Sequence, residues 1–290
     1  MIPLTVYRPD DVLNTGDNSA DLTRHHYRFL AQGDSWFATG ALNLAKNSNL
    51  LFEMVFSQSN CAVNCARSGS TLRRMVDQVN EHAFNALLAG AQWRPWDGIL
   101  LSAGGNDMID ALGTPQIADP AKRLFLKPGE ITGDPAKAQS YLSAPGWQTF
   151  ETYLRANFAS LIALRDHRVL NRNIPVFMHT YHHPTIRNAP AGLGVGPWLF
   201  SAAVDFGIPP ALWPDIATAL FEHFASLLIS IAASHTNVHV FNSAKAITLQ
   251  PALPGTTQTS GDWVNEIHLT WQGYEKVAVG WVADIGTVLF

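Results

Sequence analysis

Apolar positions along the chain fall into short continuous runs that alternate with longer stretches of helical spacing. Tyr27 to Ala31, Cys61 to Cys65, Asp97 to Ser102, Ile174 to Met178 and Val238 to Phe241 read as strands, and Leu50 to Phe56 has strand-like composition. Leu72, Met75, Val76, Val79, Phe84 and Leu87 recur at near-helical spacing, with Ser70 or Thr71 in position to cap the helix. Phe150, Tyr153, Leu154, Phe158, Leu161, Ile162 and Leu164 make the apolar stripe of a helix predicted from Trp147 to Leu170. Phe37 to Leu51, Asp215 to Ser234 and Trp271 to Val288 are predicted helices as well. Five strands alternating with helices predict an α/β fold with a central, mostly parallel five-stranded sheet and helices on both faces. Ligands of such folds bind at the carboxyl ends of the strands.

The remaining segments lack this pattern. Residues 1–24 are polar, with turn residues at Asn14, Gly16, Asp17 and Asn18, and predict a surface arm before a single domain over 25–290. Two insertions interrupt that domain, at about 108–146 and 182–213. The first is rich in Pro, Gly, Lys and Asp. The second is apolar, with Trp198, Phe200, Phe206 and Trp213, and reads either as ordinary buried packing or as a mobile cover over a substrate site.

Composition narrows the class. A chain of 290 residues with 47% hydrophobic and 14% charged residues can bury a large core. A formal net charge of -4 and the absence of a long basic run argue against nucleic acid as a partner. No apolar run of about 20 residues and no basic-then-apolar leader at MIPLTVYRPDDVL are apparent, so no transmembrane segment and a cytoplasmic location are expected. Cys61 and Cys65 are too few for a disulfide framework and lack the companions of a zinc site, and they read as reduced packing residues. No residue pattern specifies an oligomer.

Chemistry concentrates at strand ends. Gly33, Asp34 and Ser35 follow the first strand, where a sharp turn exposes a hydroxyl at the sheet edge. Gly69 follows the second, and Gly104, Gly105, Asn106 and Asp107 follow the third. His268 lies 22 residues before the C-terminus, ahead of the last helix. Acyl transfer needs a nucleophile, a base in reach, a group that orients the base, and donors for the oxyanion, and these residues supply each. In that order and with those spacings the chain resembles the SGNH (GDSL) hydrolase family of serine esterases and lipases. The resemblance implies a three-layer flavodoxin-like fold and two-step ester hydrolysis. Ser35 would be the nucleophile and His268 the base, with the Ser35 N–H, the Gly69 N–H and the Asn106 amide as oxyanion donors. Asp34 and Asp107 would brace their turns.

One position departs from the family. The residue three before the histidine is usually Asp and here is Asn265, whose amide oxygen can orient the imidazole but adds no charge. Glu266, Asp262 or a backbone carbonyl are the alternatives. His182, Trp198 and Phe200 are candidate substrate-binding residues. His179, His182 and His183 invite a metal reading, but without carboxylates beside them a polar loop near a pocket is the preferred one, and no cofactor or metal is expected. The expected activity is hydrolysis of small-molecule, lipid or saccharide esters by a carboxylesterase or lipase-like enzyme with an apolar acyl pocket. Carbohydrate deacetylation is the alternative within that chemistry, and a non-catalytic binding protein on the same fold the alternative outside it.

Overall fold

Runs of residues that are apolar on both sides can be satisfied only in strands covered above and below, and the centre of the molecule is built from such strands. The computed structural model describes residues 1–13, 19–38, 48–77, 79 and 81–289. Its strands are β1 (Ile2–Pro3), β2 (Thr5–Tyr7), β3 (Arg28–Gly33), β4 (Val55–Phe56), β5 (Cys61–Asn64), β6 (Gly98–Ser102), β7 (Val176–His179) and β8 (Val238–Phe241). Six of them form one parallel sheet in the order β2-β5-β3-β6-β7-β8, with helices on both faces. Every residue of β6 and β7 is buried, and all but the first of β3, whereas the edge strands β2 and β8 are mostly half-buried.

The sixth strand corrects the expected five, and with it the role of the first residues. Thr5, Val6 and Tyr7 pair with Cys61, Ala62 and Val63, while Ile2 and Pro3 pair antiparallel with Phe56 and Val55. Leu4, Val12 and Leu22 are buried in the core, so the described residues of 1–24 are packed on the domain and not a surface arm. A three-residue, half-buried edge strand is too short to show an alternation in sequence. The turn residues Asn14 to Asn18 and most of the helix predicted over Phe37 to Leu51 lie outside the described residues.

Other boundaries moved for local reasons. The long helix runs over Ala144–Asp166, because Ser143 accepts the Gly146 N–H at 3.2 Å as N-cap and Pro145 suits the first turn. The helical pattern over 72–87 is two pieces, Leu72–Met75 and His82–Leu88, the first capped by Thr71. Of Leu50 to Phe56 only β4 is strand. Inside the first insertion, Gly105–Leu112 is a helix and short 3-10 turns lead to Ala144; inside the second, Leu199–Asp205 is helical. Pro210–Ala233 is long and apolar enough to cross a membrane by length and composition, which the sequence reading overlooked; here Ile216, Leu220, Phe224 and Ile231 of its helix are buried in the core. Cys61 and Cys65 are buried thiols, and burial pushes that of Cys61 up to about 12.

Because β3 lies between β5 and β6, the loops that leave these three strands are neighbours at one edge of the sheet. The strand order therefore gathers Ser35, the Gly69 turn and Asn106 from distant parts of the chain. The C-terminal helix, Trp271–Leu289, packs Trp281 against Phe37 and His179 and follows directly on the His268 loop.

Candidate active site

Ser35 sits in the turn just after β3. The ladder continues one bond past the strand, with the Asp34 N–H donating to the Ser102 carbonyl at 3.1 Å, and the chain then turns away. Asp34 makes that turn: its Oδ1 accepts the Trp36 N–H and the Ser102 hydroxyl, each at 2.9 Å, and Tyr181 donates its hydroxyl to Oδ2. Asp34 is buried, and desolvation pushes its carboxyl up to about 6 despite these donors. It points into the core and braces the nucleophile from beneath.

The Ser35 Oγ lies 2.8 Å from His268 Nε2, and His268 Nδ1 lies 3.0 Å from Asn265 Oδ1. The same Oδ1 accepts the backbone N–H of Ile267 at 3.0 Å and of His268 at 2.9 Å. Two fixed donors require oxygen there, so the amide cannot present its NH₂ to the ring. Nδ1 therefore carries the imidazole proton and Nε2 is left to accept from Ser35. Both ring and amide are buried, and burial alone holds the His268 imidazole down to about 4. The loop is tied to β3 by Trp36, whose indole N–H donates to the Ile267 carbonyl at 3.3 Å.

Neither alternative carboxylate faces His268. Asp262 pairs with Lys276 at 2.7 Å and accepts the Gln250 N–H at 2.6 Å. Glu266 points the opposite way from its neighbour Asn265 in function: its buried carboxylate accepts the N–H groups of Trp198, Leu199 and Phe200 at 2.6, 2.9 and 2.7 Å. Burial pushes it up to about 7 against those bonds. Buried Arg187 closes the same region, donating to the Asn265 carbonyl at 2.8 Å and to the Gln258 carbonyl at 2.5 Å.

Asn106 lines one small pocket with Ser35, and one of its two amide hydrogens goes to the Ser70 carbonyl at 3.2 Å. Gly69, one residue earlier, adopts a left-handed φ of +78°, which places the 69–70 turn against Asn106. The paired glycines before Asn106 have steric causes. Gly104 has φ of +91°, and a Cβ on Gly105 would stand 2.8 Å from the Tyr181 ring. Asp107 turns inward, accepting the Leu72 N–H at 2.8 Å.

The pocket beside Ser35 measures about 30 Å³ and is walled by Met108, Ile109, Pro184, Phe221, Trp263 and Ile267. His182 also lines it, and burial holds that ring down to about 4. Trp198 meets the His268 ring edge-on, with centroids 5.8 Å apart, and lines a neighbouring cleft. Phe200 lines neither of these two cavities; its ring packs on Trp213 at 5.5 Å. The three histidines diverge. His179 lies buried against Trp36 and Trp281, His182 faces the pocket, and His183 packs on Phe221. Among the described residues no cluster of three or more His, Cys, Asp or Glu is placed to hold a metal ion.

No family model and no curated protein matches this sequence. Solved structures do match in shape. A possible lipase from Chitinophaga pinensis superposes with a TM-score of 0.52 at 11% identity, over 91% of this chain and 99% of that one. A candidate SGNH hydrolase from Slackia heliotrinireducens covers 90% of this chain and 99% of its own at 14% identity and a TM-score of 0.48. A family 3 carbohydrate esterase from Clostridium thermocellum covers 91% and 96% at 13% identity and a TM-score of 0.46. The chain shares its fold with that possible lipase.

On this fold, the loops holding Ser35, Gly69, Asn106 and His268 occupy one end of the sheet. The sequence reading missed what surrounds them. Tyr181 carries the hydroxyl that completes the Asp34 cluster, and only its position just past β7 hinted at a role. The sequence does not single out Arg187 and offers Glu266 only as a partner of His268, yet both are buried beside the His268 loop. Their partners are backbone groups distant in the chain, which leave no trace in local spacing.

Proposed function

We propose that this chain is a serine hydrolase that cleaves carboxylic esters through an acyl-enzyme, acting as a carboxylesterase on short acyl groups. The observation that carries this reading is the buried line Ser35 Oγ, His268 Nε2, His268 Nδ1, Asn265 Oδ1, with distances of 2.8 and 3.0 Å. Ser35 attacks the acyl carbonyl while Nε2 takes its proton, forming an imidazolium. The Ser35 N–H, the Gly69 N–H and the Asn106 amide receive the oxyanion. As the tetrahedral intermediate collapses, the C–O bond to the alcohol breaks and Nε2 returns the proton to the leaving oxygen. A water then repeats the sequence against the acyl-serine, releasing the acid.

Acyl size follows from the pocket. A water needs roughly 10–15 Å³ by the same kind of measure, and the cavity against Ser35 offers about 30 Å³. That room seats an acyl chain of a few carbons, and its apolar walls suit an alkyl end. A profile over p-nitrophenyl acetate to palmitate, run with wild type and Ser35→Ala, tests the proposal. Turnover should peak at acetate to butyrate and vanish in the variant. Failure to cleave any of these esters, together with no reaction of Ser35 with a fluorophosphonate, would overturn it.

A further inference from the structure

His182 lies three residues past β7, and its ring forms part of the wall of the pocket beside Ser35. The residue is 6% exposed, and its Nε2 has no hydrogen-bond partner. Of the buried side-chain nitrogens and oxygens left without a partner among the described residues, it is the one that belongs to this pocket. A buried polar group without a partner costs free energy, and its presence in a site is accounted for when the ligand supplies that partner. We infer that the acyl group this pocket takes is short and carries a hydroxyl, and that His182 sets this specificity by hydrogen bonding to it. The inference rests on the hydrolase reading above and narrows its substrate.

Other polar groups at the pocket are already engaged. Asp34 accepts from Trp36, Ser102 and Tyr181, Ser35 faces His268, and Asn106 gives one amide hydrogen to Ser70 and has the other for the oxyanion. Asp262, whose charge reaches the His182 ring, is held by Lys276 and by the Gln250 N–H. Met108, Ile109, Pro184 and Phe221 make apolar walls. A purely alkyl acyl chain satisfies those walls and leaves Nε2 unpaired, whereas a chain with one hydroxyl satisfies both. The ring also selects the kind of polar group. Burial holds His182 down to about 4, so the imidazole is neutral near pH 7 and gives a carboxylate no counter-charge. A neutral imidazole nitrogen donates in one tautomer and accepts in the other; a hydroxyl pairs with either, a carbonyl oxygen with only one. Room agrees with this. The pocket measures about 30 Å³, where a water needs roughly 10–15 Å³, and so seats a few carbons with one such group.

The test compares kcat/KM, by titration of released acid, for methyl propionate against methyl lactate and for methyl butyrate against methyl 3-hydroxybutyrate, each hydroxy ester as both enantiomers. Hydroxide-catalysed hydrolysis of the same esters gives their intrinsic reactivity. Relative to that reference, wild type should favour at least one hydroxy ester over its alkyl counterpart by about tenfold or more. His182→Phe and His182→Leu, which replace the imidazole with apolar groups, should each lower that preference at least about tenfold. Fluorophosphonate labelling of Ser35 verifies an assembled site in each variant. Wild-type ratios that match those of hydroxide for every pair overturn the inference, whether or not the variants fold. A preference that stays within about twofold of wild type in labelled variants overturns it as well, since another group then reads the hydroxyl. In both cases wild type still labels and hydrolyses methyl butyrate, so the hydrolase reading stands. If wild type neither hydrolyses an ester nor labels, that reading falls and the acyl specificity falls with it.

Discussion

Replacing Asn265 with Asp probes the least usual feature of this site. The amide oxygen at 3.0 Å from His268 Nδ1 orients the ring but offers no charge to the imidazolium formed when Ser35 gives up its proton. Burial alone sets the imidazole to about 4, so nothing on the protein side offsets desolvation of its charged form. A carboxylate about 4 Å from the imidazolium centre contributes about 4 kcal/mol at an effective dielectric of about 20, or about 3 pKa units before its own desolvation is subtracted. The His268 pKa should therefore rise from about 4 to the region of about 6. The base must be neutral to act, so the acid limb of kcat/KM moves up with it, by about two units. The stronger base should also raise kcat on the pH plateau at least about tenfold. The gain stays below the full worth of a triad aspartate, because Ile267 and His268 N–H groups already enforce the correct tautomer. There is a structural cost. The second carboxylate oxygen takes the place of Asn265 Nδ2, which is buried with no partner among the described residues, at about 1–3 kcal/mol. Initial rates on p-nitrophenyl acetate from pH 4 to 8, with urea unfolding of both proteins, measure both effects. An acid limb that stays within half a unit of wild type, in a folded variant, would refute the account of His268.

Ser35→Ala should lower turnover by about 10⁵-fold while thermal stability hardly changes, since one small hydroxyl is removed; esterase rates and calorimetry check this. Asn106→Ala should cost about 100 to 1000-fold in kcat with KM little affected, if its amide acts on the oxyanion, and steady-state kinetics separates the two. The Glu266 carboxyl is raised from an ordinary 4.5 to about 7, so the native state binds more protons than the unfolded chain between those values. Its contribution is present below pH 4.5 and lost as pH rises through about 7, a slope worth up to about 3 kcal/mol. Glu266→Gln should remove that slope, so its unfolding free energy relative to wild type rises from pH 5 to pH 8; equal profiles would contradict the assignment.

Much of this was written into local sequence. Val238–Phe241 is a strand as expected, the strands at β3, β5, β6 and β7 lie within two residues of their predicted places, and the long helices follow their apolar stripes. Ser35, Gly69 and Asn106 stand out because each belongs to a small motif after a recognisable strand, and His268 because it sits just ahead of the last helix. Local pattern misled where an element was short or its partner remote. Thr5–Tyr7 became a strand only because the β5 edge was open to it. That the Phe200 ring packs on Trp213 was not legible either, since an aromatic in an apolar segment reads the same whichever way it faces. Three residues could equally have held His268 on sequence grounds. Only the loop's folding, with two backbone N–H groups on the Asn265 oxygen, Lys276 on Asp262 and three helix N–H groups on Glu266, separated them. The residue types of the chemistry are set by covalent sequence, whereas the assignment of each buried polar group to a partner depends on which distant backbone arrives beside it. Desolvation then penalises every arrangement but the one in which those partners meet.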